Sequence, residues 1–261
     1  MNYEDILYEV DGAAAIITIN RPQRMNAFRA RTVEELIHAF KRAWAAREVG
    51  AVILTAAGDR AFCVGGDQKV FNETGSYGVS ENGLWEIDAL HTVIRDIPKP
   101  VIAAINGHAI GGGHVIHVLC DVTIAAEHAK FGQAGPRVAS CDAGWGAAYL
   151  ARIVGEKRAR EIWFFCRQYT AQQALDWGLV NKIVPGSELL AEAKAWAKET
   201  SALSPTAIRL LKYGFNNDSA QIFGGVKMAA VALELLGNTA ESSEGKQAFV
   251  DKRAPDFSQF R

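Results

Sequence analysis

The sequence is poor in the features that would set it apart from an ordinary globular protein. Its four cysteines, Cys63, Cys120, Cys141 and Cys166, are scattered over 261 residues without a CxxC pair. They read as buried, reduced thiols of a cytoplasmic protein. No stretch approaches the roughly 18 uncharged apolar residues of a membrane helix. The opening MNYEDILYEV has neither the basic start nor the apolar run of a signal peptide. An excess of one charge is missing too: 28 Lys plus Arg face 29 Asp plus Glu, a formal net charge of -1. Nothing therefore marks a nucleic-acid or polyanion binder. Internal repeats and low-complexity tracts are absent. His114 and His117 stand at i, i+3, but no further ligand completes a zinc set, so no metal is expected.

What is present is a balance of 49% hydrophobic and 22% charged residues, enough for a real core. Four apolar runs, Ala14 to Ile19, Ala51 to Thr55, Val101 to Ile105 and Val122 to Ala126, have the length and continuity of buried strands. Helical spacing separates several of them, as in Val33, Leu36, Ile37, Phe40 and Trp44, which makes the class α/β. Thr32 with Glu35 reads as a capping box for that helix. A helix starts at Gly112, and the chain becomes largely helical after Gly146. Pro205 suits a helical first turn. A soft boundary there divides residues 1–204 from a helical appendage, 205–261, fit for subunit contact or lid duty. Residues Phe71 to Gly83 form one long breaker-rich loop, of the kind that is often functional.

Three segments are candidates for chemistry. Val64-Gly65-Gly66-Asp67 follows a strand-like run, and Gly111-Gly112-Gly113 lies between a strand and a helix. Paired glycines allow close backbone approach, and a helix start offers free amides. Two such donors aimed at one oxygen make an oxyanion hole. Each cluster by itself reads more readily as a tight turn. The third segment runs Gly132-Gln133-Ala134-Gly135-Pro136, then Ser140-Cys141-Asp142-Ala143-Gly144-Trp145-Gly146. Asp142 is either a general base beside a hydroxyl or a cap for a helix starting near Ala147. Lys157, Arg158 and Arg160 read as a solvated helix face or a phosphate contact.

Taken together, AFCVGGDQ, KPVIAAINGHAIGGGH, CDVTIAAEHAKFGQAGP and ARIVGEKRAREIW resemble the crotonase (enoyl-CoA hydratase/isomerase) superfamily, from INRP near the start to KRAPDF at the finish. The resemblance implies a crotonase-type spiral of ββα units with a C-terminal helical oligomerisation region, assembled as a homotrimer or homohexamer. It also implies an acyl-CoA substrate held by the amides of Gly66 and Gly112, with Val64, Gly65, Asp67, Gln68 and Lys69 near the CoA. Phe249 and Lys252 match the segment that a neighbouring subunit brings to the CoA adenine. Coenzyme A enters as part of the substrate, with no tightly bound cofactor.

Both glutamates of the hydratase pattern are replaced, by Val115 and Gly135, which leaves Asp142 as the ionisable candidate. GGDQK, GGGHVIH, FGQAGP and S-x-D-A-G-W-G are similar to a narrower branch. It contains 2-ketocyclohexanecarboxyl-CoA hydrolase, a ring-opening enzyme, and 1,4-dihydroxy-2-naphthoyl-CoA synthase, a ring-closing one. In that branch Ser140 and Asp142 match active-site positions, and Tyr77 matches a loop tyrosine. Gln133 and Gly135 match a pocket that holds bicarbonate in the synthases. The branch's C-terminal tyrosine is replaced by Gly237. Ring opening is the leading expectation, ring closure the alternative, and an inactive CoA-binding protein of the same fold the third.

Overall fold

The computed structural model describes residues 1–142 and 144–261; Ala143, inside the motif that carries Asp142, lies outside the described residues. The chain opens with strands β1 (Ile6–Asp11) and β2 (Ala14–Ile19), helix α1 (Ala30–Ala45), and strands β3 (Ala51–Ala56) and β4 (Ala61–Cys63). There follow α2 (Gln68–Thr74), α3 (Ile87–Asp96), β5 (Val101–Ile105), β6 (His108–Ile110), α4 (Gly112–Leu119), β7 (Val122–Ala126) and β8 (Lys130–Gly132). A π-helical turn, Gly144–Tyr149, leads into α5 (Leu150–Val154) and α6 (Glu156–Phe165). Strand β9 (Gln168–Thr170), α7 (Ala171–Asp176), β10 (Lys182–Val184) and helices α8 (Leu189–Ser201), α9 (Pro205–Asp218), α10 (Ile222–Gly237) and α11 (Ala240–Val250) complete the chain.

The spiral comes from the way successive strands are shared between two sheets. The large sheet has the order β1-β2-β3-β5-β7-β10 and the small one β4-β6-β8-β9. Each of β3, β5 and β7 in the large sheet is followed directly by β4, β6 or β8 in the small one, so each turn of chain adds one strand to both. Pairing is parallel except for β1 with β2 and β8 with β9. Strands buried on both faces should read as continuous apolar runs, and the side chains alternate accordingly. Ile17, Val52, Leu54, Ala103 and Ala125 face the main core with α1, α3 and α4. Ile16, Ile53, Ile102, Ala104 and Ile124 face a second, smaller core covered by Leu189, Ala193 and Ala197 of α8.

Four strands stand where the apolar runs placed them. The other six were missed, because β4, β6, β8, β9 and β10 have three residues each, too few for a period to register, and β1 is half-exposed. The expected capping box on α1 is corrected. The helix starts at Ala30, and Thr32 and Glu35 lie inside it. Thr32 Oγ1 accepts from the N-cap amide of Arg29 at 3.2 Å, so it is the inner partner of the cap rather than the cap itself, and both side chains also serve the N-terminal segment. Thr32 donates to Asp5 at 2.6 Å, and Glu35 accepts from the amides of Glu4 and Asp5, both at 2.8 Å. The long loop is shortened as well: Phe71 to Thr74 finish α2, and Gly75 ends it with a left-handed φ of 78°. Cys141 is exposed, unlike the other three thiols.

The C-terminal helices are fastened to the core along their length. Lys212 of α9 is buried and reaches Asp121 at 2.7 Å and the carbonyls of Lys99 and Ile94 at 3.0 and 3.2 Å. Val226 of α10 presses on Gly144, and Gly245 of α11 on the backbone of Val138. Among the described residues no single helix is long and apolar enough to cross a membrane.

His114 and His117 of α4 are fully buried, rings edge to face at 4.9 Å. Gln133 contacts His114 Nδ1 at 3.2 Å, and Thr123 contacts His117 Nδ1 at 3.3 Å. Burial lowers both imidazole pKa values, that of His114 to about 3. The unfolded chain therefore binds protons below about pH 6.5 that the native state refuses, and stability is lost as pH falls from there toward 3. Urea unfolding across that window should show a falling midpoint, and His114→Gln should flatten the fall by up to about 1.4 kcal/mol per pH unit.

Candidate active site

The polar residues after β2 turn inward and set the site's first wall. Asn26, at a left-handed φ of 55°, donates to the carbonyls of Ala57 and Ala61 at 2.9 and 2.7 Å and accepts from Arg21 N–H at 2.9 Å. Arg21 pairs with Asp67 at 2.9 Å and lies 3.5 Å from Asp5. This brackets Phe28 against Gly66 in an isolated parallel bridge. Phe28 N–H donates to Gly65 O, and Asp67 N–H donates to Phe28 O, both at 2.9 Å. In parallel pairing the neighbours of the facing residue make the bonds, so the N–H of Gly66 itself points away from Phe28.

The second wall is the start of α4. Gly111 takes φ 58° and Gly112 opens the helix, where amides have no partner of their own. A Cβ on Gly113 would lie 2.0 Å from Cys63 O, and one on Gly65 would lie 3.0 Å from Gly112 N. Only bare backbone allows β4 and α4 to approach so closely. Among the described residues neither the Gly66 nor the Gly112 amide donates to a protein acceptor. Two adjacent free amides, one of them at the positive end of a helix, suit a developing oxyanion.

An aromatic cover lies over these amides. Tyr77 sits on Gly66 and Phe28 on Gly112, so close that added Cβ atoms would fall 2.5 and 2.6 Å from the rings. Trp85 bridges them, its ring 5.3 Å from Tyr77 and 6.1 Å from Phe28. Phe71 follows at 5.0 Å from Tyr77, with Lys246 of α11 3.7 Å above its ring. The Tyr77 hydroxyl accepts from Gln68 Nε2 at 2.7 Å, and its carbonyl accepts from Ala30 N–H at 2.8 Å. Burial raises the phenol pKa, partly offset by the Gln68 bond.

Asp142 lies where the turn after it packs on Val115 of α4. Its Oδ1 accepts from Gly144 N–H at 3.1 Å and Gly146 N–H at 3.0 Å, so it does cap a helical start, but of a π-helical turn at Gly144 rather than a helix near Ala147. A Cβ on Gly146 would touch Trp163 and Val115 at 2.9 Å and the Asp142 Cβ at 3.0 Å. One on Gly135 would meet Ser140 O at 2.5 Å and Trp163 at 2.9 Å. Asp142, Val115 and Trp163 thus meet around Gly146, and the same indole borders Gly135; its Nε1 donates to Gly146 O at 2.6 Å.

The remaining expected residues divide by what they touch. Val64 and Gly65 are in the loop that carries Gly66, and Lys69 is exposed on α2. Asp67 uses both carboxylate oxygens within the fold, one capping α2 at Lys69 and Val70 and the other on Arg21. Gln133 is 2% exposed and turned to His114. Phe249, 58% exposed, and Lys252, at a left-handed φ of 55°, lie at the outer end of α11 and just beyond it. Sequence reading missed Phe28, Trp85, Trp163, Lys246 and His91. The first four look like ordinary core or surface positions. His91 alone left a signal, a polar residue in an apolar helix one turn before Arg95.

The sequence profile described as Enoyl-CoA hydratase/isomerase matches residues 9–260. The chain belongs to that family. A carnitinyl-CoA hydratase from Mycobacterium avium is similar at 29% identity and TM-score 0.88, over 98% of each chain. An enoyl-CoA hydratase from Bacillus anthracis is 30% identical with TM-score 0.74, covering 97% of this chain and 98% of its own. An enoyl-CoA hydratase/isomerase from Pseudoalteromonas atlantica T6c is 26% identical with TM-score 0.88, covering 97% and 100%.

As a member of the enoyl-CoA hydratase/isomerase family, the chain processes acyl-CoA on a crotonase fold. Within that frame the glycine at 135 has a steric reason, since Trp163 and Ser140 O occupy the room a side chain would need. Gly135→Glu should therefore not create a hydratase. Hydration of crotonyl-CoA, followed by loss of enoyl absorbance, should stay at background, and overpacking should cost about 1–3 kcal/mol in unfolding free energy.

Proposed function

We propose that the protein hydrolyses a carbon–carbon bond of a cyclic β-ketoacyl-CoA, opening the ring and keeping the thioester. The observation that carries this reading is that Asp142 and Val115 meet at Gly146, which with Gly135 borders Trp163: a single carboxylate stands beside the two positions where the hydratase pattern has acids. With a single carboxylate, the amides of Gly66 and Gly112, and Ser140 on the strand of chain next to Asp142, a retro-Claisen sequence follows. Asp142 takes a proton from water as the water oxygen bonds to the ring ketone carbon, and Ser140 donates to the oxyanion formed there. The bond from that carbon to Cα breaks as the carbonyl re-forms, and its electron pair becomes an enolate of the thioester, held by the two amides. Protonated Asp142 returns its proton to Cα, so the net change is addition of one water and a new carboxyl group.

Ring closure of o-succinylbenzoyl-CoA is the second reading. It draws on the same Asp142 and Ser140, and on Gln133 as the contact for a bicarbonate base. The inward turn of Gln133 toward His114 favours ring opening. Gly237 removes the branch tyrosine, and Lys246 Nζ stands 3.9 Å from where its Cβ would be.

Incubation with 2-ketocyclohexanecarboxyl-CoA should yield a CoA ester heavier by one water in mass spectrometry. Loss of water from o-succinylbenzoyl-CoA would instead establish ring closure. Asp142→Asn should bind the acyl-CoA yet lose about 100-fold or more in kcat, the usual range for a missing general base; near-normal turnover would remove Asp142 from the chemistry.

A homotrimer or a pair of trimers accounts for the apolar surface of α9 and α10, where Leu210, Phe215, Met228 and Leu235 are each more than 60% exposed. It also gives Phe249 and Lys252 a neighbouring CoA to meet. Light scattering should report three or six chains, and Phe215→Glu with Met228→Glu should dissociate them.

A further inference from the structure

We propose that His91 is a positioning residue: together with Asp142 it holds and aims the water that attacks the acyl group, an inference that rests on the hydrolytic reading above.

Helix α3 has two buried stripes. Leu90, Val93 and Ile94 enter the main core. His91 and Arg95, one turn apart, form the other. Arg95 identifies what this stripe faces, because its guanidinium lies 4.7 Å from the Trp145 ring and 4.6 Å from the Tyr149 ring, both on the π-helical turn. Its Nη2 is fixed by Ser219 Oγ at 2.6 Å. One turn back along α3 on the same stripe is His91, and Asp142 accepts the amides of Gly144 and Gly146 at the start of the turn that Arg95 packs on. Asp142 is near enough for its charge to act on the imidazole.

His91 is 6% exposed, and its Nε2 meets no protein partner among the described residues. Leaving such an atom unpaired costs about 1–3 kcal/mol, so a leucine would serve packing better. Burial keeps the ring neutral, opposed by Asp142 and by Asp88, which is itself 3.3 Å from Lys227 of α10. A neutral ring with its proton on Nδ1 offers Nε2 as an acceptor. A water between Nε2 and the carboxylate directs both hydrogens at acceptors, leaving its lone pairs toward the substrate. Buried waters need at least two polar partners, and these two groups provide them. Asp142 receives the proton; His91 only orients.

Kinetics on 2-ketocyclohexanecarboxyl-CoA, with solvent deuterium exchange at Cα as a second readout, tests this. His91→Leu should lose about 100-fold in kcat with KM unchanged. Cα exchange needs Asp142 but no attacking water, and should persist in that variant. His91→Gln, which offers an acceptor at the same reach, should recover most of kcat. Normal kcat in His91→Leu with an inactive Asp142→Asn overturns the role of His91 alone. Equal losses in His91→Leu and His91→Gln, tracking a lowered Tm, reduce it to packing and overturn the proposal. Turnover by Asp142→Asn, or no hydrolysis by the unaltered protein, overturns the underlying reading and this inference with it.

Discussion

The structure turns on one close approach of bare backbone. Strand β4 and helix α4 meet where Cys63 O faces Gly113 and Gly65 faces Gly112, at separations that no side chain tolerates. That contact sets two unsatisfied amides side by side. Everything around it holds the arrangement: the Phe28–Gly66 bridge fixes the direction of one amide, and α4 fixes the other by being a helix start. A free amide costs little while water reaches it. It becomes catalytic capital when aromatic rings exclude that water and strengthen the local field.

The polar interior belongs to the same design. Arg21, Asn26 and Asp67 are buried, each held by several bonds, and all three brace the loop that carries Gly66. Asp67, adjacent to the glycine, acts on the site by holding the backbone, since both its carboxylate oxygens are already engaged. Removing one partner of such a buried pair typically costs about 3–5 kcal/mol, so positioning and stability are not separable here. His114 and His117 are a different case: neutral and enclosed, they belong to the packing of α4.

Legibility followed length and locality. The four long apolar runs were readable because burial on both faces gives uninterrupted apolar sequence. The three-residue strands were not, because their pairing partners are remote in sequence. Thr32 and Glu35 have the spacing of a capping box, yet the helix starts earlier: Thr32 accepts from Arg29 N–H inside the first turn, and Glu35 serves the N-terminal segment. For Asp142 the capping reading is the one the structure shows, displaced to the turn at Gly144. Its Cβ also meets Val115 and Trp163 at Gly146, a grouping that only the folded chain brings together. His91 went unread because its partner is some fifty residues away, on a different element.

The sequence by itself determined the class of fold, the glycine pairs and the loss of the hydratase glutamates, since these are local patterns or direct residue identities. Only the tertiary structure decided that Trp163 fills the room beside Gly135, that Tyr77 covers Gly66, that Asp67 is spent on Arg21, and that Arg95, one turn from His91, packs on Trp145 and Tyr149. The physical reason is that a site's volume, its water and its charge balance depend on which side chains converge from distant segments, and convergence is a property of packing that no local spacing encodes.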